Sequence, residues 1–210
     1  MGSLFCVLGR SGSGKTTFLN NALVKNKDLN KVVYCTTRKK RDNETNGEDY
    51  YFYTEEEYRN IDPRDIIESR EYTVYEKGEE KKVHYFTLRK CIDIDKDSIM
   101  AISPYQYKSI REYFKDDYKL HIYIIFIYTS NKNRVIRSLN RISDDRDVLE
   151  VCRRMVDEEK EFKDVLEYYP NMYNDENYLV INNNFSDIGY IESELSIFKD
   201  FKEKVIARDR

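Results

Sequence analysis

Seven glycines occur in 210 residues, and three of them, Gly9, Gly12 and Gly14, fall within six positions. They belong to the octapeptide Gly9-Arg10-Ser11-Gly12-Ser13-Gly14-Lys15-Thr16, which fills the pattern G-x-x-x-x-G-K-[ST] without a gap. The chemistry that needs such a stretch is polyphosphate binding. Glycines let successive backbone N–H groups turn inward around phosphate oxygens, and the N-terminus of a following helix adds partial positive charge. In that frame Lys15 reaches the β- and γ-phosphates of a nucleotide and the Thr16 hydroxyl coordinates Mg²⁺, while Arg10, Ser11, Ser13 and Thr17 complete the phosphate-binding stretch. The competing reading is a glycine-rich turn between strand and helix that binds nothing. The completeness of the octapeptide and its setting between an apolar strand and a helical pattern stand against it.

Arginine supplies two further clusters. Arg38 and Arg41, three apart, offer fork-shaped donors to one phosphate monoester, and a phenol such as Tyr50 can add a third donor. Read blandly, the same stretch is a solvated basic loop or a weak nucleic-acid patch. Arg134, Arg137 and Arg141 recur at helical spacing, with Arg153-Arg154 on the next helix. Converging guanidiniums stabilise the charge that phosphoryl transfer spreads over equatorial oxygens. The alternative is a solvated helix paired with Asp144, Asp145, Asp147, Glu158 and Glu159. That alternative is assigned to Arg134, Arg146 and Arg153, and the charge-stabilising role to Arg141 and Arg154.

Other chemistries are poorly provided for. Two histidines, His84 and His121, and four dispersed cysteines without a C-x-x-C pair argue against a Ser-His-Asp enzyme, a zinc site or a disulfide framework. The cysteines read as buried thiols. A guanine-reading N-K-x-D is absent, since Asn131-Lys132-Asn133 is followed by Arg134, and no D-x-x-G occurs. The best apolar strands end in Ser103 and Thr129 rather than in the Asp a motor ATPase would use. A small kinase that holds two nucleotides remains.

The elements that must position these groups follow from periodicity. Ser3 to Leu8 is a continuously apolar strand, and Lys15 to Lys25 a helix with Phe18, Leu19, Ala22 and Leu23 on one face. Strands are expected over Lys31 to Thr36, Tyr50 to Tyr53, Ile67 to Tyr75, Lys82 to Leu88, Ser98 to Ile102, Ile122 to Tyr128 and Tyr178 to Ile181. A turn around Gly78 joins two of them, and Thr54 to Arg64 carries charge and turn signals. Helices are expected from Pro104 to Phe114, Asn131 to Leu139, Val148 to Tyr168 and Ile188 to Lys204, with a polar loop over Ile142 to Asp147. Alternation of strand and helix implies a parallel sheet covered on both faces. The strand-rich stretch from about Val32 to Asp97 reads as an insert on that core.

Composition bounds the rest. Lys plus Arg number 36 and Asp plus Glu 39, a net charge of −3, too balanced for a nucleic-acid coat or a polybasic membrane binder. Nineteen Tyr and ten Phe supply core material without any Trp. Neither a signal peptide nor a membrane span is visible, so a cytoplasmic protein is expected.

Thr36-Thr37-Arg38-Lys39-Lys40-Arg41, continuing to Glu44, Gly47, Asp49, Tyr50 and Phe52, resembles the guanylate kinase signature T-T-R-x-x-R-x-G-E-x-x-G-x-D-Y-x-F in order and spacing. The phosphate loop, the lid arginines and the C-terminal strand end extend the resemblance over most of the chain. It implies an α/β P-loop kinase with a parallel β-sheet flanked by helices, a strand-rich monophosphate-binding insert and an arginine-bearing lid. As one domain over 1–210 this gives a core of 1–31, 98–139 and 156–210, an insert of 32–97 and a lid of 140–155. The implied reaction passes a phosphoryl group from ATP, with Mg²⁺, to GMP or dGMP. By the same resemblance Arg38, Arg41, Tyr50 and Tyr85 hold the acceptor phosphate. Glu68, in Ile66-Ile67-Glu68, accepts from guanine N1–H and N2–H, with Thr87 near the base. Lys15, Arg141 and Arg154 are the implied catalytic groups, and Arg137 and Asn182 join the loop in binding the donor.

Tyr34 stands at the family's Ser beside guanine, Phe86 replaces a glycine, Ile142 stands at the lid glycine, and Ser103-Pro104-Tyr105-Gln106 replaces an acidic D-x-D. A kinase for another nucleoside monophosphate is therefore the alternative activity, and a non-catalytic interaction module a more distant one. The expected partners are ATP and the monophosphate, with no nucleic acid or membrane, in a monomer or homodimer.

Overall fold

In the computed structural model, which describes residues 1–76, 79–142, 145–184 and 188–209, strand β1 (Gly2–Leu8) is buried along its whole length. Strand geometry sends alternate side chains to opposite faces, and β1 obeys it: Leu4, Cys6 and Leu8 join one apolar cluster, Phe5 and Val7 the other. A strand buried on both faces needs cover on both, and the helices supply it.

The chain continues through α1 (Lys15–Lys25), β2 (Asn30–Lys31), β3 (Tyr34–Thr36), β4 (Tyr50–Phe52), α2 (Glu55–Arg59), β5 (Ile66–Glu76) and β6 (Glu79–Leu88). It then alternates as β7 (Ser98–Ala101), α3 (Pro104–Tyr113), β8 (Leu120–Tyr128), α4 (Asn131–Leu139), α5 (Asp145–Glu161), α6 (Lys163–Met172), β9 (Tyr178–Asn182) and α7 (Ile188–Asp209). Five strands form a parallel sheet in the order β2-β7-β1-β8-β9. Phe18 and Leu19 of α1 and Phe198 and Val205 of α7 cover one face, Ile110 of α3 and Met172 of α6 the other. A second sheet, ordered β4-β3-β6-β5, is mostly antiparallel, with β3 and β4 parallel. No helix among the described residues is long and apolar enough to cross a membrane.

Three local expectations change. The run from Lys31 to Thr36 is two strands in two sheets: Asn30 and Lys31 pair with β7, Val32 N–H donates to Ile99 O at 3.0 Å, and the chain then leaves for β6 and β4. No Gly or Pro marks the bend. The segment read as one helix over Val148 to Tyr168 is α5 and α6, divided at Phe162, which the core buries to 2% exposure. Within the charged stretch after Thr54, a capping box between Thr54 and Glu57 starts the short α2. The turn at Gly78 and the side chains of Asp144, Asp145, Arg146 and Asp147 lie outside the described residues.

Candidate active site

The phosphate loop closes the C-terminal end of β1. Gly14, at φ +99°, caps α1, and Gly12, at φ +77°, approaches α4 so closely that a Cβ there would lie 2.6 Å from the Arg134 carbonyl oxygen. Lys15 Nζ donates to the carbonyls of Gly9 and, at 3.2 Å, Arg10. Burial pulls its pKa down to about 8, with the Glu158 charge opposing and the Arg134 charge reinforcing the shift. A cavity of about 280 Å³ opens before the loop, lined by Arg10 to Thr17 and by Arg141 and Arg154. Arg137 reaches across to Asn183 Oδ1 at 3.4 Å. Thus Lys15, Thr16 and two of the arginines singled out by sequence face one space.

Behind the loop lies an ion cluster that revises one expectation. Arg134, assigned to solvent, is 2% exposed. Its Nε donates to Ser11 O at 2.9 Å and its Nη2 to Glu158 Oε2 at 2.6 Å. Glu158 also accepts from the Ser11 N–H at 2.8 and 2.9 Å and from the Ser11 hydroxyl, and Arg10 pairs with Glu159. The acidic residues of α5 therefore brace the phosphate loop. Charged residues at this helical spacing gave no sign of burial, because their partners come from other elements. Arg153 does remain solvated, paired with Asp157 at 2.6 Å.

A second, open cleft of about 920 Å³ lies among β3, β5, β6 and α3, and Arg153, next to Arg154 of the first cavity, lines it. Tyr34, Tyr50, Glu68 and Tyr85 reach it. Arg38 donates from Nε to Tyr85 Oη at 3.0 Å and forks onto Glu44 at 2.7 and 3.1 Å, with its guanidinium carbon 5.6 Å from the Tyr50 ring centre. That fork holds the Glu44 carboxyl down to about 2. The Arg41 side chain is exposed, and its backbone N–H donates to Glu44 at 2.8 Å. Glu68, which also lines the cleft, is 5% exposed. Its Oε1 accepts from Thr87 Oγ1 at 2.7 Å and from Gln106 Nε2 at 3.2 Å, while its buried Oε2 has no partner among the described residues. Burial raises its pKa above the ordinary carboxylate range, and the two hydrogen bonds offset part of the rise. Thr87, fully buried, acts from behind Glu68. The Tyr34 hydroxyl is spent on the Ala101 carbonyl at 2.7 Å.

The family model for guanylate kinase matches residues 1–188. The chain belongs to the guanylate kinase family. It is 29% identical over 185 residues to the guanylate kinase of Hydrogenovibrio crunogenus, an alignment covering 88% of this chain and 82% of that one. A shorter match, 48% identical over 60 residues, links it to the guanylate kinase of Thermotoga maritima, covering 27% of this chain and 28% of that protein's length. The crystal structure of guanylate kinase from Anaplasma phagocytophilum shares the fold at a TM-score of 0.57 and 21% identity, covering 97% of this chain and 85% of that one.

Against that family pattern, several contacts escaped the sequence. Asn183 touches the phosphate loop, donating from Nδ2 to Ser13 O at 2.8 Å, while Asn182, expected near the donor base, is exposed and outside the lining of that cavity. Three consecutive asparagines gave no means of choosing among them. Glu158 was expected only as an ion partner of the arginines, not on the Ser11 N–H, and Gln106 was missed. Gln106 had left a signal, because Ser103-Pro104-Tyr105-Gln106 is an S-x-x-Q capping box, and α3 begins with both of its reciprocal bonds.

Proposed function

We propose that this guanylate kinase family member catalyses transfer of the γ-phosphoryl group of ATP to GMP or dGMP. The observation that carries the reading is Glu68: a buried carboxylate with one bare oxygen, in a cleft that Tyr50 and Tyr85 also line, with Arg38 bonded to Tyr85. Guanine presents two adjacent donors, N1–H and N2–H, and a carboxylate accepts both. Adenine presents an acceptor at N1 and is repelled.

The acceptor phosphate oxygen is already ionised, so no general base is needed, and catalysis is positioning plus charge neutralisation. In this reading Lys15 and the N–H groups of the loop hold the β- and γ-phosphates, and Arg141 and Arg154 neutralise charge on the group in transit. Arg38, Arg41, Tyr50 and Tyr85 hold the monophosphate. Arg38 is fixed in advance by Glu44, whereas Arg41 swings in from solvent. Among the described residues no cluster of three or more His, Cys, Asp or Glu could bind a metal ion, and the exposed Thr16 hydroxyl in the cavity lining fits a cation carried in on ATP. Magnesium bound there would offset phosphate charge, with Thr16 as its protein ligand. Closure of the α4–α5 arginines over the donor would exclude water from the phosphoryl group. With this reading go a cytoplasmic location, a role in purine nucleotide metabolism and a monomer or homodimer as the acting unit.

Steady-state kinetics with ATP and a panel of GMP, dGMP, AMP, CMP and UMP test it. GMP or dGMP should exceed AMP by about a hundredfold or more in kcat/KM, because a polar site left unpaired discriminates sharply. A preference for AMP or a pyrimidine nucleotide would refute the guanine reading and leave the kinase reading standing. No transfer to any of them would refute both.

A further inference from the structure

The amide of Gln106 is held at both ends. Its Oε1 accepts the Ser103 N–H at 3.0 Å, closing the capping box that starts α3. An amide oxygen fixed there leaves the NH₂ group facing the opposite way, and Nε2 donates to Glu68 Oε1 at 3.2 Å. Thr87, itself fully buried, donates to the same Oε1. Two donors on one oxygen fix the carboxylate about its terminal torsion, and the other oxygen, Oε2, is the one left bare. The arrangement spans three elements, since Glu68 lies on β5, Thr87 on β6 and Gln106 at the first turn of α3, where the core sheet meets the insert.

We propose that Gln106 is a positioning residue that sets base specificity: the helix cap of α3 orients its amide, the amide orients Glu68, and Glu68 Oε2 is thereby aimed at the base of the acceptor nucleotide. The proposal rests on the reading of Glu68 as the carboxylate that meets guanine. It explains what the Ser103-Pro104-Tyr105-Gln106 segment does in place of an acidic pair. A neutral amide donor supports the Glu68 charge, whereas a second carboxylate at that point would oppose it. Helix capping and substrate choice are thus linked through one side chain.

The groups around Glu68 make its titration interpretable. The Arg70 guanidinium of β5, hydrogen-bonded to Glu161, keeps its charge, and burial holds the Tyr34 and Tyr50 phenols above their ordinary range. Glu71 is held low by Lys82, 2.8 Å away. Burial raises the pKa of Glu68 itself, so its charge is lost at a higher pH than that of an ordinary carboxylate.

Gln106→Glu isolates the donor. Glutamate serves a capping box as well as glutamine, so the Ser103 N–H keeps its acceptor and the helix its start. What changes is the face toward Glu68, which meets a carboxylate in place of an amide NH₂. Below the raised pKa of that carboxyl pair one shared proton restores a donor, and above it the two charges repel. The wild type should bind GMP better as pH rises through the ionisation of Glu68, and the variant should bind it worse. At pH 8 the variant's KM for GMP should be about tenfold to a hundredfold higher, the range for losing a hydrogen bond to a charged group, with the KM for ATP unchanged. Carbon-13 NMR titration of the Glu68 carboxyl without substrate should show its pKa raised in Gln106→Glu, and also in Gln106→Leu. A wild type that does not use GMP overturns the reading of Glu68. A wild type that uses GMP beside a Gln106→Glu enzyme with the same KM, the same pH trend and the same Glu68 pKa overturns the role of Gln106.

Discussion

At the phosphate loop Glu158 sets both carboxylate oxygens on donors, Ser11 and Arg134, whereas in the acceptor cleft Glu68 keeps a buried oxygen bare. Glu68 is buried and Glu158 half-buried, its side chain 15% exposed. The difference that bears on function is one of satisfaction. A satisfied carboxylate builds a shape, here the position of the loop against α4 and α5. An unsatisfied one stores a requirement that a ligand can meet, because a buried acceptor without a partner costs free energy until something donates to it. The donor side is held in shape by protein, and the acceptor side is completed by substrate.

The sharpest way to break that contrast is at Lys15, the phosphate-binding charge on the preformed side. Lys15→Ala should lower kcat/KM by about a thousandfold or more, since a preorganised charge on the transferred group is lost. Melting of the unliganded variant should hardly change, because a lysine desolvated enough to drop to a pKa of about 8 contributes little to folding. Turnover within tenfold of wild type would remove the phosphate loop from the mechanism. The next effect concerns the brace itself. Arg134→Leu strands Glu158 beside the loop, and breaking one partner of a buried pair costs about 3–5 kcal/mol. For a chain of this size that is a Tm drop on the order of 6–20 °C. The double variant Arg134→Leu with Glu158→Ala should recover most of the loss, because replacing both charges removes the stranded one. A double variant no better than the single would show that the pair is not the source of stability.

These two regions were not equally legible in the sequence. The octapeptide fixes its own geometry, since glycines with positive φ at Gly12 and Gly14 and a lysine at the helix start work through backbone that is local in the chain. The central strands were legible for a related reason: burial on both faces leaves an uninterrupted apolar run such as Ile122 to Tyr128. Arg134 was misread because its partners Ser11 and Glu158 are 123 and 24 residues away, and charge at helical spacing looks the same whether solvated or buried. In the cleft, the family resemblance pointed to Glu68 but not to what orients it. The capping box that fixes Gln106 was visible as a helix start, yet its second contact depends on how α3 meets β5. The departure of the chain after Val32 into a second sheet leaves no mark either, because no Gly or Pro interrupts Lys31 to Thr36.

Glu68→Gln sharpens the contrast from the acceptor side. Thr87 and Gln106 both donate to Oε1, so an introduced amide must turn its oxygen to them and its NH₂ into the place of Oε2. That NH₂ then faces the N1–H and N2–H donors of guanine. The expected result is a loss of about a hundredfold in kcat/KM for GMP, with AMP, whose N1 accepts, changed far less. ATP affinity should stay as it was, since Glu68 does not reach the phosphate loop. Equal losses for GMP and AMP would show that Glu68 supports the cleft without reading the base.

The smallest expected effect is a difference in pH dependence between the two sides. Lys15 must be protonated to hold phosphate, and in the free protein it titrates at about 8, its charge disfavoured by burial. Bound phosphates favour the charged form, so above about pH 8 ATP binding must take up a proton. Linkage then weakens ATP binding as pH rises, approaching about a tenfold increase in Kd per pH unit well above that pKa. Glu68 has the opposite sign. Its pKa is raised, GMP needs it ionised, and GMP binding weakens as pH falls through that value. Calorimetric titrations of each nucleotide from pH 5 to 9.5, in buffers of different ionisation enthalpy, read both affinity and proton uptake. Glu158 holds the Lys15 pKa up, so Glu158→Gln should move the ATP break to lower pH and leave the GMP limb in place. An ATP affinity flat from pH 7 to 9.5, with no proton uptake, would show that Lys15 is charged throughout and that its desolvation is offset within the loop.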